Sequence, residues 1–250
     1  MKFSVLTLFP EMVDPFWNNG MIARGIEKGL IFGNCINIRD FSTDRHHTVD
    51  DRPYGGGSGM VMKPEPLKEA IHSAKTGNPD ARVILMSPQG IRFDQPLAER
   101  FAEEEKGMVF VCGRYEGVDE RIVDGLIDEE ISIGDFVLTG GELAAMAVID
   151  SVARLIPGVL GSDESSKSDS FTDGRLEYAQ YTRPEDFQGN RVPEVLLSGN
   201  HEKIRQWRKA SSIKRTFLKR PDLLDSASLD EEEKTILRRW CRELEALVRN

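Results

Sequence analysis

At 250 residues, 39% hydrophobic and 30% charged, the chain is long enough to bury a core in one large or two smaller domains. No apolar run approaches the roughly 20 residues of a bilayer-spanning helix, which argues against a membrane partner. The three cysteines, Cys35, Cys112 and Cys241, form no C-x-x-C pair and the histidines do not cluster, so a disulfide framework or a bound structural metal is not expected and a reducing, cytoplasmic setting fits.

A net charge of −9 speaks mildly against nucleic acid, but net charge hides local patches. Residues 201–220 carry Lys203, Arg205, Arg208, Lys209, Lys214, Arg215, Lys219 and Arg220 against a single acid, Glu202. The acids gather elsewhere, in 99–105, 128–130 and 230–233.

Taken in chain order, residues 3–9 form an apolar run too continuous for a half-solvated strand, so a central buried strand is predicted. No small-residue cleavage site follows it, so it does not read as a signal peptide. Residues 11–19 and 21–28 read as short helices joined at Gly20, and 34–39 as a second strand. From 40 to 59 the chain is polar and glycine-rich, with Arg45, His46, His47, Asp50, Asp51 and Arg52 concentrated in one long loop. Such loops are functional or disordered, and this composition favours function. Helices are predicted at 64–75, 95–105, 118–126 and 142–155, and strands at 82–86, 108–112 and 130–133. Strands alternating with helices indicate an α/β domain with a mostly parallel sheet covered on both faces. The serine-rich stretch within 161–175 has linker composition. Beyond it strand signals vanish, and helices at 202–211 and 231–248 predict a small all-helical closing domain. The expected division is 1–160, a flexible linker 161–175, and 176–250.

Three glycine-containing segments end or follow strands: Ser87-Pro88-Gln89-Gly90, Gly113-Arg114-Tyr115-Glu116-Gly117, and the stretch from Ile133 to Gly141. Ligands of open α/β sheets gather at strand carboxyl ends, so these loops can share one pocket. Neither G-x-G-x-x-G nor G-x-x-x-x-G-K-[ST] is present, which argues against an ordinary NAD or ATP site. Thr139 and Glu142 have the spacing of a capping box at the start of the following helix. Arg154 lies at the end of that helix, where it could simply complement the dipole. Asp169 lies in the linker, where an aspartate is usually just solvated. Trp207, within the basic run, could stack on a base or face its own core.

Longer motifs carry a resemblance: Leu8-Phe9-Pro10-Glu11-Met12, the run from His47 to Gly57, the three glycine segments with Ser132-Ile133-Gly134-Asp135, Ile156-Pro157-Gly158-Val159, Tyr181-Thr182-Arg183-Pro184, and Val195 to His201. Together they resemble the bacterial tRNA (guanine-N1)-methyltransferases of the SPOUT class. The resemblance implies a deep trefoil knot in the α/β domain, with S-adenosylmethionine bound in it. It also implies a homodimer with the active site between subunits, and methylation of guanine N1 at tRNA position 37, beside the anticodon. By motif match, the cofactor contacts would be Leu85, Met86, Ser87, Pro88 and Gln89; Gly113, Tyr115, Glu116 and Gly117; and Ser132, Ile133, Gly134, Asp135, Phe136, Val137, Leu138, Gly140 and Gly141. Arg154 and Asp169 match the family's catalytic arginine and aspartate. The closing domain would grip tRNA through Lys203, Arg205, Arg208, Lys209, Lys214 and Arg215. The resemblance also suggests Mg²⁺ dependence, although no ligand cluster in the sequence locates a metal.

Overall fold

The computed structural model describes residues 1–161, 169–226 and 229–248, and the chain forms two compact units, Met1–Asp163 and Glu164–Asn250. The first unit is a five-stranded sheet in the order β2-β1-β6-β5-β7. Its strands are β1 (Lys2–Thr7), β2 (Phe32–Asn37), β5 (Arg82–Arg92), β6 (Met108–Cys112) and β7 (Glu129–Ser132). Every pairing between them is parallel. A separate two-strand ladder, β3 (Asp50–Asp51) with β4 (Val61–Met62), ties down the long polar loop.

Alternation along the strands sorts the core into two layers, because successive side chains leave a strand on opposite faces. Phe3, Val5, Ile84, Met108 and Phe110 face one cluster. There they meet Val13 and Trp17 of α1 (Pro10–Trp17), Ile22 of α2 (Gly20–Glu27), Phe101 of α4 (Gln95–Glu104) and Val148 of α6 (Glu142–Ala153). Leu6, Val83, Leu85, Val109 and Val111 face the other, against Leu67 and Ile71 of α3 (Pro64–Thr76) and Ile122 of α5 (Glu120–Leu126). All five residues of β6 are buried, as a central strand of a doubly covered sheet requires.

Two elements depart from expectation. The second strand begins at Phe32 and ends at Asn37, whose side chain accepts from Arg39 N at 3.0 Å and turns 38–41 into a 3-10 segment. More consequentially, β5 does not end at Met86. It pairs with β7 through Met86↔Ile131, leaves the ladder, and returns at Ile91↔Ile131 and Arg92↔Ser132. Residues 87–90 are thus an excursion within one strand. Pro88 cannot donate to a ladder, and a Cβ on Gly90 would collide with the Glu130–Ile131 main chain.

The second unit is not all helical. β8 (Asp186–Phe187) and β9 (Asn190–Arg191) form an antiparallel ladder across Gln188 and Gly189, whose φ angles of 54° and 82° suit a tight hairpin turn. Two-residue strands leave no alternation to read, which is why the sequence pattern misses them. The helices are α7 (Glu194–Leu197), α8 (His201–Lys219), α9 (Asp222–Ser226) and α10 (Glu231–Val248). Asn200 caps α8 by accepting from Lys203 N at 3.0 Å, and α8 runs past residue 211 because Ile213 and Thr216 are buried. Of the serine-rich linker, residues 162–168 lie outside the described residues. Residues 169–175 form a turn that ends on Arg175, only 8% exposed, which pairs with buried Glu233 at 2.8 Å.

Candidate active site

The three glycine segments meet. The excursion of β5, the loop after β6 and the segment after β7 line one cavity of about 410 Å³ at the carboxyl ends of these strands. Every expected cofactor contact lines it except Asp135. Phe136 N donates to Gly134 O at 2.9 Å, and the tight turn leaves Asp135 exposed. Arg114, Val118, Glu120, Val123, Glu130, Ile131, Thr139 and Ala144 also line the cavity. Arg114 and Thr139 stand in segments the sequence singles out, without a cofactor role; for the others only position beside the glycine loops could have pointed to them.

Each wall has a local cause. In the loop after β6, Tyr115 (φ 59°) and Gly117 (φ 129°) turn the chain through the left-handed region. The same loop is held from outside, since Met62 N donates to Gly117 O at 2.9 Å and Glu116 N to Met60 O at 3.0 Å. In the third segment, Ser132 Oγ donates to Gly134 O at 3.1 Å and accepts from Gly134 N at 3.2 Å. Phe136, Val137 and Leu138 then present apolar side chains that are exposed. The segment closes where Gly141 N donates to Gly113 O at 3.1 Å. A Cβ on Gly141 would stand 2.8 Å from Cys112 Cα, so the start of α6 packs main chain against main chain. The result is a cradle of bare main chain and apolar side chains, with Arg114, Glu116, Glu120 and Glu130 also in its lining.

Thr139 and Glu142 do not form the expected capping box. The N-cap of α6 is Gly141, without a side-chain cap. Glu142 is fully buried and committed elsewhere: Thr7 Oγ1 donates to its Oε1 at 2.7 Å, and Arg114 Nε donates to the same oxygen at 3.2 Å. Arg114 Nη2 lies 2.9 Å from Oε2 as an ion pair, and that buried oxygen accepts no hydrogen bond. Burial, the Glu142 charge in second place, pushes the Cys112 thiol well above its ordinary range, so this cysteine is a packing residue.

The catalytic candidates fall in different units. Arg154 is the C-cap of α6, with its backbone N–H donated to Asp150 O. Asp169 opens the 169–175 turn of the second unit and accepts from Thr172 N through its carbonyl at 3.4 Å. In the polar loop, Asp44 accepts from Thr48 N, His46 N and Ser42 Oγ, which holds its carboxyl down at about 2. His46 and His47 therefore sit on a carboxylate-organised turn. Among the described residues no group of three His, Cys, Asp or Glu side chains is placed to share a metal ion.

All six basic candidates lie on α8, but the structure divides them. Arg205 pairs with Glu202 at 2.8 Å and Glu232 at 3.3 Å, and Lys209 pairs with Asp230 at 2.6 Å and Glu232 at 2.8 Å. Arg208 stacks over the Tyr178 ring at 4.8 Å and Lys214 over Trp240 at 5.5 Å. Trp207 is half-buried beside Tyr181, with centroids 6.1 Å apart.

A second, larger cavity of about 560 Å³ opens between the ends of α3 and α5, lined by His72, Lys75, Asp124 and Asp128 among others. It lies where β5 and β7 begin, has no converging glycine loops, and contains none of the candidate residues.

Against known proteins, residues 1–226 match the family described as tRNA (Guanine-1)-methyltransferase TrmD. The chain belongs to this family. Relatives called tRNA (guanine-N(1)-)-methyltransferase include one from Geotalea uraniireducens, 56% identical over 95% of this chain and 96% of the relative. Another, from Desulfatibacillum aliphaticivorans, is 52% identical over 100% of this chain and 95% of its own length. A third, from Geobacillus kaustophilus, is 51% identical over 98% of this chain and 100% of its own. Family membership gives the enzyme class, a tRNA (guanine-N1)-methyltransferase. The α/β unit with its parallel sheet is the part of the fold that frames the site. No described helix is long and apolar enough to cross a membrane.

Proposed function

We propose that the protein transfers a methyl group from S-adenosylmethionine to N1 of guanine at position 37 of tRNA. The single observation that carries this reading is the convergence of three glycine segments on one main-chain-lined cavity, in a chain of this family. What supports the donor reading is a wall of main-chain groups and apolar side chains: at Gly140 and Gly141, which line the cavity, a side chain would strike neighbouring residues, so the backbone stays bare there. Leu85 to Gln89, Gly113, Tyr115 to Gly117, Ser132 to Gly134, Phe136 to Leu138, Gly140 and Gly141 would hold the donor. When bound, the sulfonium supplies an electrophilic methyl group.

Guanine N1 bears a proton and is a poor nucleophile until that proton leaves. Asp169 is the general base that takes it, and Arg154 balances the charge that moves to O6. Arg154 stands at the far end of a 12-residue helix from Gly141, 13 positions on and about 20 Å along its axis at 1.5 Å per residue. That separation supports an active site completed by the second subunit of a homodimer. The return of the third segment to Gly113 and Arg114, between β6 and the start of α6, supports a knotted arrangement. The proposed division is 1–160, a linker 161–175 and a tRNA-binding 176–250; the division into two compact units between Asp163 and Glu164 supports two domains, while Arg175 at the end of the proposed linker packs within the second unit. The Mg²⁺ dependence that the family resemblance suggests has no residue assigned to it, and a cytoplasmic setting accords with a tRNA substrate.

The test is incubation with methyl-labelled S-adenosylmethionine and unmodified tRNA, followed by nucleoside analysis. N1-methylguanosine at position 37 is expected, abolished by Asp169→Ala. Label in another nucleoside, or near-normal turnover in that variant, refutes the reading.

A further inference from the structure

Arg114 has no part in the chemistry above, yet it is the most heavily engaged side chain at the cavity. Its Nε donates to Glu142 Oε1 at 3.2 Å, its Nη1 to Thr139 O at 3.3 Å, and its guanidinium covers the Phe9 ring at 4.5 Å. Its main chain bridges to Gly140, and a Cβ at Gly140 would strike the guanidinium. Glu142 is held in turn by Thr7, whose hydroxyl also accepts from Phe9 N at 2.9 Å. Three distant pieces of chain, the end of β1, the loop after β6 and the start of α6, therefore meet at one buried carboxylate. The turn they enclose, Thr139-Gly140-Gly141, is part of the cavity wall.

We propose that Arg114, oriented by the buried Glu142–Thr7 pair, is a positioning residue that sets the Thr139–Gly141 main chain at the spacing the methyl donor requires. The inference rests on the reading of this cavity as the donor site. Two successive glycines leave the turn few side-chain anchors of its own: Gly141 N–H is tied to Gly113 O, and the Thr139 carbonyl needs a donor from outside. A guanidinium can supply it, because its fork reaches a carboxylate and a carbonyl together. A lysine in its place would neutralise Glu142 but could not also reach Thr139 O. Arg114→Lys thus separates charge compensation from the hold on the turn.

The experiment is calorimetric binding of S-adenosylmethionine and S-adenosylhomocysteine to the full-length protein, with steady-state KM for donor and tRNA and a thermal midpoint for each variant. Losing a hydrogen bond from a charged donor predicts donor affinity weakened about tenfold or more in Arg114→Lys. The donor KM should rise alike, with the tRNA KM and thermal midpoint close to wild type. Thr7→Val, which keeps volume and Arg114 but frees one side of Glu142, should move donor affinity in the same direction and by less; it carries the test if Arg114→Lys does not fold. Wild-type donor affinity in a folded Arg114→Lys, or a loss shared equally by donor and tRNA, overturns the positioning role. Failure of the wild-type protein to bind either ligand instead overturns the donor-site reading.

Discussion

Gly141→Ala isolates the close approach on which the cavity depends. Gly141 has φ −79°, which any residue adopts, so alanine brings no backbone strain there. What it brings is contact: the new Cβ would sit 2.8 Å from Cys112 Cα and 3.0 Å from Met86 Cβ. Carbon atoms rest near 3.5–4.0 Å, so the start of α6 must lift from the sheet by about 0.7 Å or more. Neither neighbour yields easily, since Cys112 lies in the central strand and Met86 at the point where β5 leaves its ladder. Overpacking of this kind costs about 1–3 kcal/mol. For a domain of this size that is a fall of about 2–12 °C in thermal midpoint. Because the lifted residue belongs to the cavity wall, calorimetry should also show donor affinity weakened by about tenfold or more, on the scale of about 1.4 kcal/mol per decade. Gly125→Ala is the control: its Cβ would meet nothing within 4 Å, and in the helical α5 it should be neutral or stabilising by up to about 1 kcal/mol. A Gly141→Ala protein with an unchanged midpoint and wild-type donor affinity would refute the reasoning.

Further expectations follow from the second unit and the thiols. Arg175→Ala leaves Glu233 charged and unpaired in a buried position, a loss of about 3–5 kcal/mol; limited proteolysis should then cut within 169–248 while the first unit resists, and equal resistance of both units contradicts this. Native-state titration with a thiol reagent should modify Cys241 first, because it is exposed, whereas burial raises Cys35 to about 12 and holds the buried Cys112 thiol well above its ordinary range. Rapid reaction of all three thiols in folded protein would count against that order. In tRNA binding, neutralising Lys203 or Arg208 should reduce the salt slope by about 0.9 each if duplex-like phosphates are contacted. Arg205→Ala should reduce it less, since Glu202 and Glu232 already occupy its guanidinium; equal slopes for all three would show that those pairs yield to phosphate.

The cavity was legible in the sequence because its makers are local. Glycine next to an apolar strand end is a signal that needs no partner, and the segments at 85–90, 113–117 and 132–141 were each visible alone. The part Arg114 plays within 113–117 was not, since it depends on Glu142, 28 positions away, and through it on Thr7, 135 positions from Glu142. The same limit explains the capping box: the Thr139–Glu142 spacing is a local rule, and a half-buried arginine from the loop after β6 won the carboxylate. The return of β5 to its ladder at Ile91 is a pairing fact that no periodicity in 82–92 announces. On α8 the basic run was plain, but which cations are paired depends on Glu202 within it and on Asp230 and Glu232, which the sequence placed in a separate acidic cluster.

Hydrogen exchange with and without S-adenosylhomocysteine bears most directly on where the ligand sits. Added ligand should slow exchange in residues 85–90, 113–117 and 132–141 together, and leave 71–79 and 124–128, around the larger cavity, unchanged. Protection confined to the larger cavity, or to only one of the three glycine segments, would contradict a shared donor site.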